Sequence, residues 1–97
     1  MTKLTPQTAL VMDALIQSPG LAGADLMRAT KLKSGSLYPI LRRLEEAGWI
    51  TGNWEEIDPR EAGRPRRRFY KVTATGRRNA ARAAQSQATV LGRLGWA

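Results

Sequence analysis

The sequence has no cysteine and no histidine. These absences exclude disulfide frameworks, the usual zinc sites and the Ser-His and Cys-His pairs of nucleophilic enzymes. The eight acidic residues form no obvious metal-binding set, so we expect no catalysis, no cofactor and no metal. No apolar run approaches the ~20 residues that cross a bilayer, and residues 1–5 lack the core of a signal peptide. We therefore expect a cytoplasmic protein that does not contact a membrane.

Positive charge is abundant and unevenly distributed. The 97 residues carry a formal net charge of +8, and this length suits one domain rather than two. From Arg60 to Arg82, nine arginines and lysines stand against a single acid, Glu61. Such a cluster predicts a polyanionic partner, of which nucleic acid is the commonest.

Hydrophobic periodicity predicts three short helices. The first begins at Thr5-Pro6, where proline is tolerated in the first turn, and the second runs from about Ala22 to Thr30. The third has Gly48 as its C-cap. One buried stripe follows helical spacing along the third helix and comprises Leu37, Ile40, Leu41, Leu44 and Ala47.

After Gly48 the pattern favours two strands joined by a loop from Asp58 to Pro65, which contains two prolines and a glycine. Trp54 and Tyr70 fall on the strand face shared with Ile50 and Val72, so both are predicted to be core residues. The assignment of Trp49 stays open. The alanine-rich stretch 73–94 predicts a final helix with Thr75 as a candidate N-cap.

The third helix and the hairpin together predict a nucleic-acid interface. Arg42 and Arg43 lie opposite the buried stripe, and a guanidinium fork suits phosphate oxygens or guanine edges. The hairpin tip, Gly63-Arg64-Pro65, is similar to peptides that bind the minor groove. We predict that DNA is contacted by twelve residues: Lys33, Ser34, Gly35, Ser36, Tyr38, Pro39, Arg42, Arg43, Arg64, Arg66, Arg67 and Arg68.

Two features of the sequence bear on whether this interface forms: a proline in the third helix and acids near the hairpin tip. Pro39 fits the third helix only if the helix begins no more than three or four residues earlier, since proline further inside removes a backbone hydrogen bond. Four acids lie beside the hairpin tip: Glu55, Glu56, Asp58 and Glu61. They oppose phosphate, and they either aim the arginines or keep the wing from binding every sequence equally. The alternative is that the arginines only solubilise the surface and that the tip is a solvated loop.

The order of the motifs resembles the winged-helix signature of the PadR family. That signature is a small residue, Leu-Tyr-Pro, a helix, Leu-Glu, then Gly and a hydrophobic pair, and it corresponds to residues 36–50. Trp54-Glu55-Glu56, Arg66-Arg67-Arg68, Phe69-Tyr70 and Thr73-Ala74-Thr75-Gly76 continue the pattern in order.

The resemblance implies a mostly α fold with a small β-hairpin wing: a winged helix-turn-helix, in which the third helix is the recognition helix. It also implies a homodimer that binds double-stranded DNA at a two-fold operator and represses transcription, often until a small ligand binds. This chain departs from the family where Gly-Tyr often opens the second helix, since it has Gly23-Ala24. The short region after the wing leaves little room for a ligand-binding domain, and no residue pattern identifies an effector.

We expect residues 1–73 to form the winged-helix domain and residues 74–97 a C-terminal dimerisation helix. The alternative is that the last helix packs on its own domain. Other functions also stay open: plasmid or phage maintenance, replication, or protein docking without DNA binding. The predicted dimer contacts are Leu10, Val11, Ala14, Ala84, Ala88, Leu91 and Leu94.

Overall fold

The computed structural model describes residues 3–93, with the side chains of residues 3–85. Its helices and strands follow one another as α1 (Pro6–Gln17), β1 (Leu21–Ala22), α2 (Gly23–Thr30), α3 (Ser34–Glu46), β2 (Ile50–Trp54), α4 (Pro59–Ala62), β3 (Arg68–Val72) and α5 (Ala74–Arg93). The three strands form one antiparallel sheet in the order β1-β3-β2. This confirms the predicted winged-helix fold class and adds one strand, β1, to the predicted hairpin.

The first helix begins where the sequence predicts. The hydroxyl of Thr5 accepts a hydrogen bond from the Thr8 amide at 3.2 Å, and Pro6 occupies the first helical position. This cap satisfies one of the amides that have no partner inside the helix. The inner face of α1 buries Val11, Met12 and Leu15.

The second helix is fixed at both ends. Residues Leu21 and Ala22 precede it as β1, which pairs with β3. The carboxylate of Asp25 accepts a hydrogen bond from the Ala22 amide at 3.1 Å, which holds the entry to the helix. Lys31 ends α2 in the left-handed conformation, with φ 63°.

The buried stripe of α3 forms the centre of the hydrophobic core. Leu37, Ile40, Leu41 and Leu44 are at most 3% exposed and pack with side chains from α1, α2 and the sheet. Ala47 is exposed, contrary to the prediction, because α3 ends at Glu46 and Ala47 is its C-cap. Gly48 then turns the chain towards β2 with φ 77°.

The hairpin extends beyond the core. Tyr70 and Trp49 are buried, at 5% and 6% exposure, so Trp49 is a core residue. The prediction that Trp54 is a core residue is wrong, because Trp54 lies at the opposite end of β2 from the buried Ile50 and is 60% exposed. It pairs with Arg68 across the strands.

The predicted loop between the strands contains a helical turn, α4. The Asp58 side chain accepts a hydrogen bond from the Arg60 amide at 2.9 Å, and Pro59 occupies the first helical position. Gly63 ends the turn with φ 68°. Periodicity does not reveal this element, because four residues are too few to show a helical repeat.

The start of α5 packs on its own domain. Thr73, not the predicted Thr75, provides the side chain that caps it: its hydroxyl accepts from the Gly76 amide at 2.9 Å. Gly76 is buried against the backbone carbonyl of Trp49, where a Cβ atom would collide with the carbonyl group. Ala80 joins the hydrophobic core at 8% exposure. None of the helices within residues 3–93 has the length and hydrophobicity of a membrane span.

Candidate nucleic-acid interface

The face of α3 opposite the core carries two unpaired arginines. Arg42 and Arg43 are exposed, and neither makes a hydrogen bond or an ion pair with the residues that the structure describes. Several other predicted contact residues are exposed along the same helix and its N-cap: Lys33, Ser34, Gly35, Ser36 and Pro39. We call the exposed residues Gly35, Ser36, Pro39, Arg42 and Arg43 the outer face of α3. This face is accessible to solvent.

The beginning of α3 offers backbone donors. Lys33 is the N-cap but its side chain makes no capping hydrogen bond. The amides of Ser36 and Leu37 return to the Lys33 carbonyl at 3.0 and 2.9 Å. The amides of Ser34 and Gly35 precede the first helical hydrogen bonds, so they face outwards and favour a phosphate oxygen.

Pro39 lies further inside α3 than expected. The helix begins at Ser34, five residues before Pro39, so the expectation of three or four is wrong. Because proline has no amide proton, the Gly35 carbonyl has no donor one helical turn later. Both residues lie on the outer face, where water or a ligand can hydrogen-bond this carbonyl.

Tyr38 links α3 to α2. Its side chain is 44% exposed, and its ring lies on the backbone of Gly23. A Cβ atom at Gly23 would lie 3.0 Å from Cζ of Tyr38 and closer still to the hydroxyl. Glycine at the start of α2 therefore allows the two helices to approach, whereas Ala24 beside it is exposed.

For the rest of the article, the wing is residues 50–72, which comprise β2, α4 and β3. At its tip, Arg64 forms a two-pronged ion pair with Glu55, with N–O distances of 2.7 and 3.0 Å. The same carboxylate accepts a hydrogen bond from the Arg67 amide at 3.2 Å. The hydrogen bonds from Arg64 are the main cause that lowers the pKa of Glu55 from 4.5 to about 2.

This geometry changes the expected role of the tip. The guanidinium of Arg64 is held within the wing by Glu55 rather than presented alone to a groove. Arg66 is also partly engaged, since its Nε donates to the Ile57 carbonyl at 2.9 Å. The side chain of Arg67 is exposed and makes no hydrogen bond or ion pair with the described residues, although its charge also lowers the pKa of Glu55.

Arg68 points to the other side of the hairpin, towards α3. Its Nη2 donates to Oε2 of Glu45 at 3.0 Å, and this hydrogen bond raises the pKa of Arg68. Its guanidinium carbon lies 5.1 Å from the centre of the Trp54 ring. The predicted binding arginines therefore divide into two groups. Within residues 3–85, the side chains of Arg42, Arg43 and Arg67 make no hydrogen bond or ion pair, whereas those of Arg64, Arg66 and Arg68 have hydrogen-bond partners.

Sequence reasoning missed Glu45 and Trp54 as partners of Arg68. One signal was available for Trp54, because pairing Ile50 with Val72 brings Trp54 opposite Arg68. No local pattern joins Glu45 to Arg68, which is 23 residues away in the chain.

The predicted dimer residues have different environments. Leu10 is 49% exposed, and Ala84 is exposed on α5. Val11 is wrongly predicted as a dimer contact, since it is fully buried in the core of its own chain. Ala14 is half-buried against the same core. The side chains of Ala88 and Leu91, and the whole of Leu94, lie outside the described residues.

The sequence from residue 23 to residue 82 matches the family described as "Transcriptional regulator PadR-like family". The chain belongs to the PadR-like family. Because the match covers α2, α3, the wing and the start of α5, it includes every element of the candidate interface. The family and the structural neighbours of this PadR-like chain are transcriptional regulators, not enzymes.

Solved structures share this fold. A PadR-like transcription factor from Bacteroides fragilis superposes with a TM-score of 0.77 at 22% identity, covering 91% of this chain and 85% of that one. A PadR family regulator from Eggerthella lenta gives 0.74 at 24% identity, covering 90% and 79%. The transcriptional repressor CouR, solved bound to a 23-mer DNA duplex, gives 0.73 at 24% identity, covering 90% and 57%. No curated protein matches the sequence significantly.

Proposed function

We propose that this PadR-like chain is a sequence-specific double-stranded DNA-binding protein that represses transcription as a homodimer. The observation that carries the proposal is that Arg42 and Arg43 are exposed on the outer face of α3 and have no ion pair with the part of the chain that the structure describes. An α-helix fits the major groove, and arginine forms two parallel hydrogen bonds to guanine O6 and N7. Such bonds distinguish guanine from the other bases.

The wing supplies contacts of a different kind. The side chain of Arg67 on the wing is exposed and makes no hydrogen bond or ion pair within the described residues, so it can bind a phosphate. Phosphate contacts position a protein on the duplex and carry no sequence information of their own. We infer that α3 reads bases while the wing holds the adjacent backbone. The CouR complex supports the proposal that this chain binds duplex DNA, since that repressor has a similar fold and was solved bound to a duplex.

The homodimer would place two copies of α3 on one duplex. Leu10 leaves an apolar side chain half exposed on α1, which packs against α5. Gly76 and Ala80 occupy the domain side of α5, so a partner would contact its other faces and Leu10. The two-fold symmetry of such a dimer predicts a two-fold symmetric operator.

Selection from a randomised duplex library tests the proposal. The full chain is incubated with the library, bound duplexes are recovered over several rounds, and the winning site is footprinted. We expect a palindromic site with half-sites about 34–36 Å apart and two chains per duplex. A final pool that binds no more tightly than the starting library would reject sequence-specific binding, and one chain per site would reject the dimer.

Repression requires its own readout. A reporter promoter that overlaps the selected site is transcribed with purified polymerase, with and without the protein. We expect fewer transcripts when the protein is present, because an occupied site excludes polymerase. An increase would show that the protein is an activator and would leave DNA binding intact.

A further inference from the structure

Arg68 connects the wing to α3 through the side chain of Glu45, and it packs beside Trp54 on the wing itself. Its guanidinium donates to Glu45 on α3 at 3.0 Å and lies 5.1 Å from the ring centre of Trp54 on β2. The side chains of Arg68 and Glu45 are only 28% and 31% exposed. We call these three residues, Glu45, Trp54 and Arg68, the Arg68 bridge.

The backbone of β2 is shaped to accept this guanidinium. A Cβ atom at Gly52 would lie 2.5 Å from Nε of Arg68 and 2.8 Å from both Cζ and Nη2. The guanidinium therefore packs against a glycine backbone, beside the Trp54 ring and the Glu45 carboxylate. A planar cation suits this arrangement, since it can stack on an aromatic ring while its edge donates to a carboxylate.

The bridge lies where the hydrophobic core no longer supports the wing. Ile50 and Tyr70 anchor the near end of the hairpin in the core, but Trp54 at the far end is 60% exposed. Within residues 3–85, Arg68–Glu45 is the single ion pair that joins α3 to the wing. The orientation of the far half of the wing relative to α3 therefore depends on these contacts.

We propose that Arg68 is a positioning residue rather than a DNA contact, and that the Arg68 bridge sets the angle between α3 and the wing that specific binding requires. The inference rests on the proposed DNA-binding function. On a duplex the base edges in one groove and the neighbouring phosphates have fixed separations. A wing at another angle loses its contacts when α3 is seated, whereas non-specific binding tolerates many arrangements.

Two substitutions that change the charge of the protein in opposite directions distinguish a positioning role of Arg68 from a purely electrostatic one. Arg68→Gln removes a positive charge and Glu45→Ala removes a negative one, but both break the bridge. Electrostatics alone predicts weaker DNA binding for the first and tighter binding for the second. Positioning predicts that both weaken binding to the selected duplex by about tenfold, the size expected when contacting partners are separated.

The binding experiment uses fluorescence anisotropy with the full chain, the library-selected duplex and a random duplex of equal length, across a range of salt concentrations. Glu46→Ala is the matched control for Glu45→Ala, because Glu46 is exposed and has no ion pair in the described part of the chain. It should bind both duplexes slightly more tightly. Arg67→Gln is the control for Arg68→Gln, and it should lower the salt slope by about 0.9.

Two results would overturn the inference. If Arg68→Gln lowers the salt slope on both duplexes as Arg67→Gln does, Arg68 is a phosphate contact. If Glu45→Ala tightens binding to the selected duplex as Glu46→Ala does, the bridge does not position the wing. The expected result for Arg68→Gln is an unchanged salt slope on the random duplex, together with a fall in the ratio of selected to random affinity.

A measurement without DNA keeps this inference separate from the proposed function. Residual dipolar couplings of backbone amides report the orientation of β2 and β3 relative to α3 in the wild type and in Arg68→Gln. We expect the couplings of the wing to change while those within α1, α2 and α3 agree. If no duplex is selected, the proposed function fails, and unchanged wing couplings would still reject the bridge.

Discussion

Replacing Glu55 by glutamine is expected to strengthen the binding of this protein to random duplex DNA. The Glu55 carboxylate holds both Nη atoms of Arg64, at 2.7 and 3.0 Å. A neutral amide holds the guanidinium less strongly, so Arg64 becomes available to a phosphate. Each phosphate contact changes log K by about −0.9 per unit of log salt concentration. If the added contact contributes nothing at 1 M salt, this slope makes binding at 0.15 M salt about fivefold tighter.

The measurement is fluorescence anisotropy with a labelled random duplex at salt concentrations spanning about 0.05 to 0.3 M, the range in which such slopes are steep. Glu56→Gln is the matched control: Glu56 carries the same charge on the same wing but is exposed and unpaired among the described residues. Glu55→Gln should steepen the salt slope by up to about 0.9 relative to Glu56→Gln. Equal slopes, or weaker binding by Glu55→Gln, would refute the reasoning that Glu55 restrains Arg64.

Three further predictions follow from single contacts. Gly76→Ala should lower the free energy of unfolding in urea by about 1–2 kcal/mol, because a collision with the Trp49 carbonyl outweighs the ~1 kcal/mol helix preference of alanine. Gly35→Ala is the control: its added Cβ meets nothing within 4 Å, so the free energy of unfolding should not fall. The pKa of the Glu55 carboxyl, measured by carbon NMR, should be near 2. The ion pair with Arg64 then stabilises the wing fully above pH 4.5, and this stabilisation is lost as the pH falls towards 2. A titration midpoint near pH 4.5 would contradict the ion pair. Leu10→Glu should raise the dimer dissociation constant about tenfold in sedimentation equilibrium, and an unchanged constant would remove Leu10 from the interface.

Sequence patterns predict α1 and α3 well, because each has a periodic apolar face and a local signal at one of its ends. Thr5-Pro6 marks the start of α1, and Gly48 marks the turn after α3. The strand β1 has only two residues, and its pairing with β3 depends on the tertiary fold rather than on local preference. Alternation with Ile50 predicts that Trp54 is a core residue, but alternation does not show where the core ends.

The candidate interface was predictable as a surface but not as a set of contacts. Helical spacing correctly exposes Arg42 and Arg43, since it depends only on the position of the buried stripe. It cannot show that Arg64 meets Glu55 or that Arg68 meets Glu45, because those pairs form only when the hairpin closes and packs on α3. A count of arginines therefore overestimates how many are free to bind DNA.

The most direct test of the account is the effect of replacing Arg42 and Arg43 together by glutamine. The ratio of affinities for the library-selected duplex and a random duplex is measured across a range of salt concentrations, with thermal unfolding to confirm that the variant is folded. If these arginines read bases, the ratio should fall at least about tenfold, since each two-pronged contact discriminates by about 1–3 kcal/mol. An unchanged ratio would contradict the claim that the outer face of α3 reads the sequence of DNA.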